Sequence, residues 1–198
     1  PGWHNECSAM SKKILGSKID IHGGGVDLLF PHHENEIAQS ECCSSTTFAN
    51  FWVHNNLINF DNQKMSKSIG NIIKGRDFIN EYNPEIFKFL ILSVHYRSIL
   101  NFNKKLINQT IVNLIKIYSA LSLAERLSNS KVEIVESKEY KNDFNVYSKK
   151  VSDFINNDFN TPGFFSIIFE IIRKVNLVGV NKKLTGELKY FSISILDF

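Results

Sequence analysis

A run of three glycines at the end of a short alternating segment constrains the fold of this chain more than any other feature. Residues 19–22 alternate apolar and polar side chains as a strand does, and they lead directly into glycines 23–25. After Pro31, residues 32–43 contain neither glycine nor proline and predict a helix, and residues 51–54 predict a second strand. Strand, glycine turn, helix and strand is the order of an α/β fold built on a parallel sheet.

The glycine triplet also predicts a ligand-binding position. Glycine lets a backbone approach a ligand closely because it has no Cβ, and parallel α/β proteins bind nucleotides at the carboxyl ends of their strands. Gly25 closes the triplet, and Asp27 lies two residues further on, where a carboxylate can accept both hydroxyls of a ribose. A flexible turn with a solvated aspartate is the alternative that these residues leave open.

A lysine-rich loop follows in the middle of the chain. Lys64 and Lys67 stand three residues apart, are spaced by Met65 and Ser66, and are followed by Gly70. Lysine is a compact charge on a flexible stem, and two such charges with hydroxyl and backbone donors suit a polyphosphate. Short basic runs are also common on solvated surfaces, so this loop alone does not decide between the two interpretations.

Pro84 opens a predicted helix over residues 85–95, and from residue 103 onward the sequence predicts helices. Residues 129–139 predict a loop, residues 146–157 a shorter helix, and the pair at 161–162 the N-cap and first position of another helix. A buried stripe of one long helix is expected from apolar residues at three- and four-residue steps: Ile107, Ile111, Leu114, Tyr118 and Leu121. An antiparallel helical bundle is the expected arrangement.

Composition narrows the class of protein. The 198 residues are 43% hydrophobic and 22% charged, which is typical of a globular chain, and the net charge of +3 permits a polyanionic partner without requiring one. No run of about 18 apolar residues predicts a membrane span. The first residues, Pro-Gly-Trp, lack an initiator methionine and a leader pattern, so we expect an excerpt of a longer chain. Three cysteines, Cys7, Cys42 and Cys43, indicate reduced thiols and a cytoplasmic protein.

A candidate metal site comprises Cys7, His32 and Glu36. The histidine and the glutamate are four residues apart on the predicted helix, so their side chains leave the same face one turn apart. Thiolate, imidazole and carboxylate together suit zinc better than magnesium or calcium. A core cysteine with an unrelated histidine and glutamate is the alternative, and no fourth ligand is evident.

Five segments together resemble the cysteinyl-tRNA synthetase family of class I aminoacyl-tRNA synthetases. They are residues 2–10 (GWHNECSAM), 20–41 (DIHGGGVDLLFPHHENEIAQSE), 64–71 (KMSKSIGN), 95–98 (HYRS) and 158–162 (DFNTP), in the order of the family. The block from the glycine triplet to His-His-Glu-Asn-Glu is far longer than a short-motif coincidence.

The resemblance implies a zinc-dependent choice of amino acid. Cys7, His32 and Glu36 match three of the four zinc ligands of the family, and Trp3 matches a residue that lines the amino-acid pocket. The family's substrate thiolate binds the metal, which a serine hydroxyl does poorly. A hydrophobic pocket alone would discriminate by only about 1–3 kcal/mol per methylene-sized difference.

The resemblance also implies ATP, with magnesium, and tRNA(Cys) as further substrates. Gly25 and Asp27 match the segment that contacts the adenosine of ATP. Lys64 and Lys67 match the signature loop that stabilises the charged transition state, and Lys67 also contacts ATP. The implied activity is that of a cysteine–tRNA ligase, which forms cysteinyl-adenylate and transfers cysteine to the 3′ end of its tRNA.

The His-Ile-Gly-His motif and the remaining zinc cysteine of the family are not in this sequence. Residues 1–100 therefore resemble the second half of a Rossmann-type catalytic domain with its connecting segment, and residues 101–198 resemble part of the helical anticodon-side domain. We expect these 198 residues alone to be inactive in aminoacylation. A cytoplasmic monomer without a membrane partner is expected for the parent protein.

Two rivals remain open from the sequence. The cysteine ligase of mycothiol synthesis would keep the zinc and the lysine loop, but the His-His-Glu-Asn-Glu block and residues 158–162 favour the tRNA enzyme. A non-catalytic, zinc-bearing RNA-binding module would tolerate neutralisation of Lys67.

Overall fold

The computed structural model describes residues 2–65, 70–181 and 185–197. These residues are mostly helical, with two small sheets. They form two compact units, an N-terminal unit of Pro1–Gly70 with Tyr96–Asn101 and a helical unit of Asn71–His95 with Phe102–Phe198. The sequence-based boundary between residues 100 and 101 stays a prediction. Among the helices of the described residues, none is both long and apolar enough to cross a bilayer.

A parallel strand pair joined by a helix forms the centre of the N-terminal unit. Strand β1 (Ile19–Gly25) pairs with β2 (Ala49–Asn55) in parallel, in a register that sets Ile19 opposite Ala49 and Gly25 opposite Asn55. Helix α2 (Glu34–Ser44) connects the two strands, and helix α1 (Trp3–Leu15) precedes them. The predicted order of strand, helix and strand is therefore present.

The link between β1 and α2 is irregular. A 3₁₀ turn (Val26–Leu28) is followed by a π-helical turn (Leu29–His33), in which Phe30 has an extended backbone. The regular helix therefore begins at Glu34 rather than at residue 32, and it ends where Ser45 adopts a left-handed φ of 53°. The π-helical turn places His32 and His33 directly before α2, where both are buried.

The apolar core of the N-terminal unit is small. Ile19, Phe48 and Ala49 are buried, and Ile37 and Trp52 pack against them. The backbone N–H of Phe48 donates to Glu41 Oε1 at 3.0 Å, which fixes the entry into β2. Much of the remaining interior is polar, as the next section describes.

A second small sheet lies beyond β2. Strands β3 (Ile58–Phe60), β4 (Gln63–Lys64) and β5 (Leu100–Phe102) form it in the order β4-β3-β5. Asp61 and Asn62, with φ of 46° and 64°, make the turn between β3 and β4, as expected for a two-residue hairpin loop. Lys64 ends β4, whereas residues 66–69 of the lysine loop, including Lys67, lie outside the described residues.

Six helices account for most of the helical unit. They are α3 (Gly75–Glu81), α4 (Pro84–Leu92), α5 (Lys104–Ser128), α6 (Lys138–Asn156), α7 (Thr161–Asn181) and α8 (Gly186–Asp197). The predicted helical character of the second half is confirmed for the part of the chain that the structure describes.

Side-chain caps explain where the helices begin. Ser137 accepts from the N–H of Tyr140 at 3.5 Å, so α6 starts at Lys138 and not at residue 146 as predicted. Asn160 Oδ1 accepts from the N–H of Gly163 at 3.0 Å, which makes Asn160, rather than Thr161, the N-cap of α7. At α6 the capping side chain, and not the first apolar residue, sets the start, whereas at α7 the cap lies one residue before the predicted one.

The core of the helical unit is apolar and lies among α5, α6, α7 and α8. Its buried members are Ala120, Tyr147, Ile167, Ile171, Ile172, Val175, Leu188 and Phe191. The predicted stripe of α5 is wrong at its end, because Tyr118 and Leu121 are 53% and 37% exposed. Ala120 and Ala124 face the core instead, since a small side chain lets a neighbouring helix approach closely.

We predict that Phe191→Ala lowers the free energy of unfolding of the helical unit by about 3–5 kcal/mol, because it leaves a cavity in a packed core. Phe191 is 1% exposed and stacks on Tyr140 at 4.5 Å between ring centroids. Urea unfolding followed by far-UV circular dichroism measures the loss. The control Tyr118→Ala, at an exposed position of α5, should change stability by less than about 1 kcal/mol. Equal effects of the two variants would contradict the assigned core.

Candidate functional site

The three predicted metal ligands come together in the N-terminal unit. Cys7 lies on α1, His32 is the last residue but one of the π-helical turn, and Glu36 lies in the first turn of α2. One potential ligand atom from each residue lies within 4.8 Å of the other two. The local i, i+4 spacing aligns His32 with Glu36, whereas Cys7 reaches them only because α1 packs against α2 and the π-helical turn.

Glu36 is the buried charge of this group. It is 1% exposed, with Oε1 at 3.0 Å from His32 Nε2 and Oε2 at 2.9 Å from His22 Nε2. Despite that proximity, Oε2 has no hydrogen-bond partner among the described residues. His22 Nε2 is therefore close to Oε2 but is not aligned to form a hydrogen bond with it. A buried carboxylate oxygen without a hydrogen bond is costly, and a cation would satisfy it.

The protonation of the Cys7 thiol also depends on the negative charge of Glu36. Burial raises the pKa of Cys7 above its ordinary value, and the charge of Glu36 together with a hydrogen bond to it raises the pKa further. Without a cation the thiol therefore keeps its proton. A bound metal reverses this preference, because a coordinated thiol is deprotonated.

Thiol, imidazole and buried carboxylate form a donor set that fits zinc. Zinc binds soft sulfur and imidazole nitrogen, whereas magnesium and calcium prefer oxygen ligands. The partnerless oxygen of Glu36 is the structural observation that supports a cation at this point. Cys7, His32 and Glu36 are the residues that would hold it.

Trp3 forms one wall beside this group. Its ring lies 4.3 Å from that of His32 between centroids, at an interplanar angle of 39°, and the side chain is 60% exposed. His4, the next residue, approaches His32 more distantly, at 6.2 Å and edge-on. Trp3 therefore presents an exposed indole directly beside the donor set.

A second layer of histidines lies behind Glu36, and sequence reasoning did not assign it. His22, His33 and Glu36 offer ligand atoms within 4.8 Å of one another, and His33 Nδ1 lies 2.7 Å from His54 Nε2. Trp52 lies against His22 at 4.6 Å and against His33 at 5.2 Å between ring centroids. Only the register of β1 on β2, which sets His22 opposite Trp52, could have revealed this layer.

His33 is held neutral in this layer. It is 2% exposed, and its pKa falls from the ordinary value to about 4, first through burial and then through the neighbouring His22, His54 and His32. A neutral ring can accept one hydrogen bond and donate another. The layer behind Glu36 thus adds polar contacts without adding positive charge at His33.

The glycine triplet makes space for side chains. A Cβ on Gly24 would lie 2.8 Å from Cε1 of His33, and a Cβ on Gly25 would lie 2.3 Å from Oδ1 of Asp27. Gly24 therefore lets the His33 ring lie against β1, and Gly25 lets the exposed Asp27 carboxylate fold back towards the strand end. Nucleotide contacts by Gly25 and Asp27 stay a prediction.

A polar link joins α1, which carries Cys7, to α2, which carries Glu36. Gln39 of α2 donates through Nε2 to Asn5 Oδ1 of α1 and accepts from Ser8 Oγ of α1 at 3.1 Å. Further along, Lys12 Nζ donates to Cys43 Sγ at 3.2 Å. These contacts fix the position of α1, and with it Cys7, relative to α2.

The predicted lysines are described only in part. Lys64 is exposed at the end of β4, opposite Asn59, and belongs to neither donor group. Lys67 lies outside the described residues. The catalytic role of both stays a prediction.

Comparison with known proteins identifies relatives of this chain. The chain is 49% identical over 176 residues to the cysteine–tRNA ligase of Bdellovibrio bacteriovorus, a match that covers 89% of the chain and 36% of the relative. It is 46% identical to that of Lachnoclostridium phytofermentans and 44% identical to that of Oceanobacillus iheyensis, again over 89% of the chain. The chain thus spans 36–39% of the length of these relatives.

Two solved structures share the fold at low sequence identity. The LeuRS of Agrobacterium radiobacter K84, solved in a ternary complex with tRNA and LeuAMS, superposes with a TM-score of 0.68 at 16% identity over 89% of this chain and 25% of that one. The methionyl-tRNA synthetase of Mycobacterium tuberculosis, in complex with methionyl-adenylate, gives 0.61 at 12% identity over 87% of this chain and 38% of that one.

Residues 1–112, more than half of the chain, match the family described as the catalytic domain of class I (C) tRNA synthetases. This stretch contains all the donors of both groups and Trp3. The chain belongs to that family of class I tRNA synthetases.

Proposed function

We propose that the parent protein of this chain is a cysteine–tRNA ligase that selects cysteine through a zinc ion. The observation that carries the proposal is the group of Cys7, His32 and Glu36, whose donor atoms lie within 4.8 Å of one another around a buried carboxylate. The relatives that bear this name, at 44–49% identity, support the same conclusion.

The zinc, when bound, supplies a soft Lewis acid that prefers a thiolate to a hydroxyl and so separates cysteine from serine. The residues of this chain set the conditions for that choice. Glu36 provides a buried negative charge, and His32 Nε2 lies 3.0 Å from that carboxylate, so both residues present donor atoms to the same point. Trp3 lies against His32 and bounds the side where a substrate side chain would enter.

Activation of cysteine would use the strand end and the lysine loop. In this step the carboxylate of cysteine attacks the α-phosphorus of ATP, and pyrophosphate leaves. Asp27 would accept the ribose hydroxyls, and Gly25 would let the backbone lie close to the adenosine. Lys64 and Lys67 would stabilise the charge that develops on the phosphates. Positioning and charge stabilisation are sufficient for such a step, without a side-chain nucleophile.

The second step would transfer cysteine from the adenylate to the 3′-terminal ribose of tRNA(Cys). The proposal assigns ATP with magnesium, cysteine and tRNA(Cys) as substrates of a parent protein that acts as a cytoplasmic monomer. It also assigns the β1–α2–β2 unit to the second half of a Rossmann-type sheet and α5–α8 to an antiparallel bundle. The parallel pairing of β1 and β2 supports the first assignment.

We predict that His32→Ala in the full-length parent protein removes stoichiometric zinc and abolishes cysteine-dependent pyrophosphate exchange. Loss of a ligand should weaken zinc binding by more than the roughly 10- to 100-fold caused by loss of a supporting residue. Elemental analysis measures the metal, and exchange of labelled pyrophosphate measures activation. His4→Ala is the matched control, because His4 lies beside His32 but belongs to neither donor group. Full activity without zinc would overturn the proposed selection of cysteine.

We predict that Lys67→Ala in the full-length parent protein slows cysteine-dependent pyrophosphate exchange by about 100- to 1,000-fold, the usual cost of one lost charge-stabilising donor. Zinc content should stay unchanged, which separates a catalytic defect from misfolding. Lys74→Ala, at an exposed lysine beyond the loop, is the control and should leave the rate unaltered. Undiminished exchange in Lys67→Ala would instead favour a module that does not use the loop for catalysis.

A further inference from the structure

The histidine layer behind Glu36 contains a second set of metal donors. His22 of β1, His33 of the π-helical turn and Glu36 of α2 each offer one ligand atom, and these atoms lie within 4.8 Å of one another. This set shares only Glu36 with the group of Cys7 and His32. Two imidazoles and one carboxylate are typical ligands of divalent transition-metal ions, whereas magnesium and calcium are bound mainly through oxygen.

The carboxylate of Glu36 faces both donor groups. Its Oε1 lies 3.0 Å from His32 Nε2, and its Oε2 lies 2.9 Å from His22 Nε2. Oε2 is buried and forms no hydrogen bond in the part of the chain that the structure describes. Some protein sites hold two ions about 3.5–4 Å apart. A carboxylate between two such ions can bind one of them through each oxygen.

The distance between His22 and Glu36 suits two ligands of one ion. Zinc binds imidazole nitrogen and carboxylate oxygen at about 2.0–2.2 Å, so two ligand atoms on a tetrahedral ion lie about 3.3 Å apart. The observed 2.9 Å between Nε2 and Oε2 is close to that spacing. An ion between these atoms would therefore require only a small movement of the two side chains.

His33 is supported in the way that metal-binding histidines are. Its Nδ1 lies 2.7 Å from His54 Nε2, so a proton on Nδ1 makes this contact a hydrogen bond and leaves the lone pair of His33 Nε2 for an ion. Metal-binding histidines commonly donate their other ring N–H to such a partner, which fixes the ring. Gly24 provides the space for this ring, because a Cβ there would lie 2.8 Å from Cε1 of His33.

The second donor set is enclosed, and its most accessible member is His22. His33 and Glu36 are 2% and 1% exposed, whereas the side chain of His22 is 16% exposed. Trp52 lies against both histidine rings. Low polarity around a charge strengthens its interaction with an opposite charge. An ion that enters beside His22 would therefore interact strongly with the Glu36 carboxylate.

We propose that His22, His33 and Glu36 bind a second divalent transition-metal ion. Glu36 would bridge this ion to the one proposed at Cys7 and His32. Because two cations repel each other, the second ion should bind more weakly than the first and fill its position afterwards. The ion would also link β1 to α2 in a unit whose apolar core is small. The bridging rests on the proposed function, whereas the second donor set does not.

Cobalt(II) titration of the metal-free, full-length parent protein distinguishes the two positions. A thiolate ligand gives cobalt an intense sulfur-to-metal charge-transfer absorption, which nitrogen and oxygen ligands do not give. The first equivalent of cobalt should produce this absorption, because Cys7 belongs to the first donor group. Equilibrium dialysis should then detect a second, weaker equivalent that adds only d–d absorption.

Two variants should have opposite effects. His22→Asn should weaken the second equivalent by more than about 100-fold, beyond the usual cost of losing a supporting residue, and leave the charge-transfer absorption unchanged. Cys7→Ser should remove that absorption and retain an equivalent with d–d absorption alone. His95→Asn is the matched control, because His95 belongs to neither donor group of the described residues. Circular dichroism checks that each variant is folded, and the titration of the unmodified protein tests the proposal without any variant.

Three results would overturn the proposal. A single equivalent of cobalt in the unmodified protein would leave His22 and His33 as polar neighbours of Glu36. Loss of the charge-transfer absorption in His22→Asn would show that one ion uses both donor sets. A second equivalent that persists unchanged in His22→Asn would show that it binds elsewhere.

Failure of this proposal is distinguishable from failure of the proposed function. A parent protein that binds one thiolate-ligated ion and activates cysteine, but binds no second ion, would refute only the present inference. A parent protein without the charge-transfer absorption that still loses an ion in His22→Asn would refute the proposed selection of cysteine and retain the second donor set.

Discussion

Burial of the Glu36 carboxylate is the constraint on which the N-terminal unit depends. An ionised carboxylate that is taken out of water is tolerated only if it is paired or neutralised. Here His32 of the π-helical turn lies 3.0 Å from one carboxylate oxygen, and His22 of β1 lies 2.9 Å from the other without a hydrogen bond, so the charge is only partly satisfied. The irregular turn before α2, the strand pairing and the packing of α1 can all be understood as ways of surrounding this one charge.

The two units of the chain have different kinds of interior. The helical unit has an apolar core of aliphatic and aromatic side chains, with its ion pairs at the periphery. The N-terminal unit has few buried apolar residues and fills its interior with histidine, tryptophan and glutamate. A polar interior of this kind adds little hydrophobic stabilisation but holds side chains in fixed directions, which a binding site requires.

Features governed by local spacing were predictable from the sequence, and features governed by tertiary contacts were not. The order β1, α2, β2 and the alignment of His32 with Glu36 follow from periodicity over a few residues. The contributions of His22 and His54 depend on the register between two strands and on the space that His33 occupies above Gly24, where a Cβ is absent. Periodicity also failed at Tyr118, because Ala120 rather than a larger residue faces the neighbouring helices.

The polar attachment of α1 has a consequence for how the donor group assembles. None of the residues of α1, all of which the structure describes, is buried, so this helix is held by Gln39 and its partners rather than by a hydrophobic face. Cys7 is therefore the proposed ligand whose position depends on the weakest docking. Ion binding at the proposed site and docking of α1 would then form one coupled equilibrium, in which part of the intrinsic affinity is used to immobilise α1. Changes far from the ion, at the interface of α1 with α2, would then alter affinity without touching a ligand.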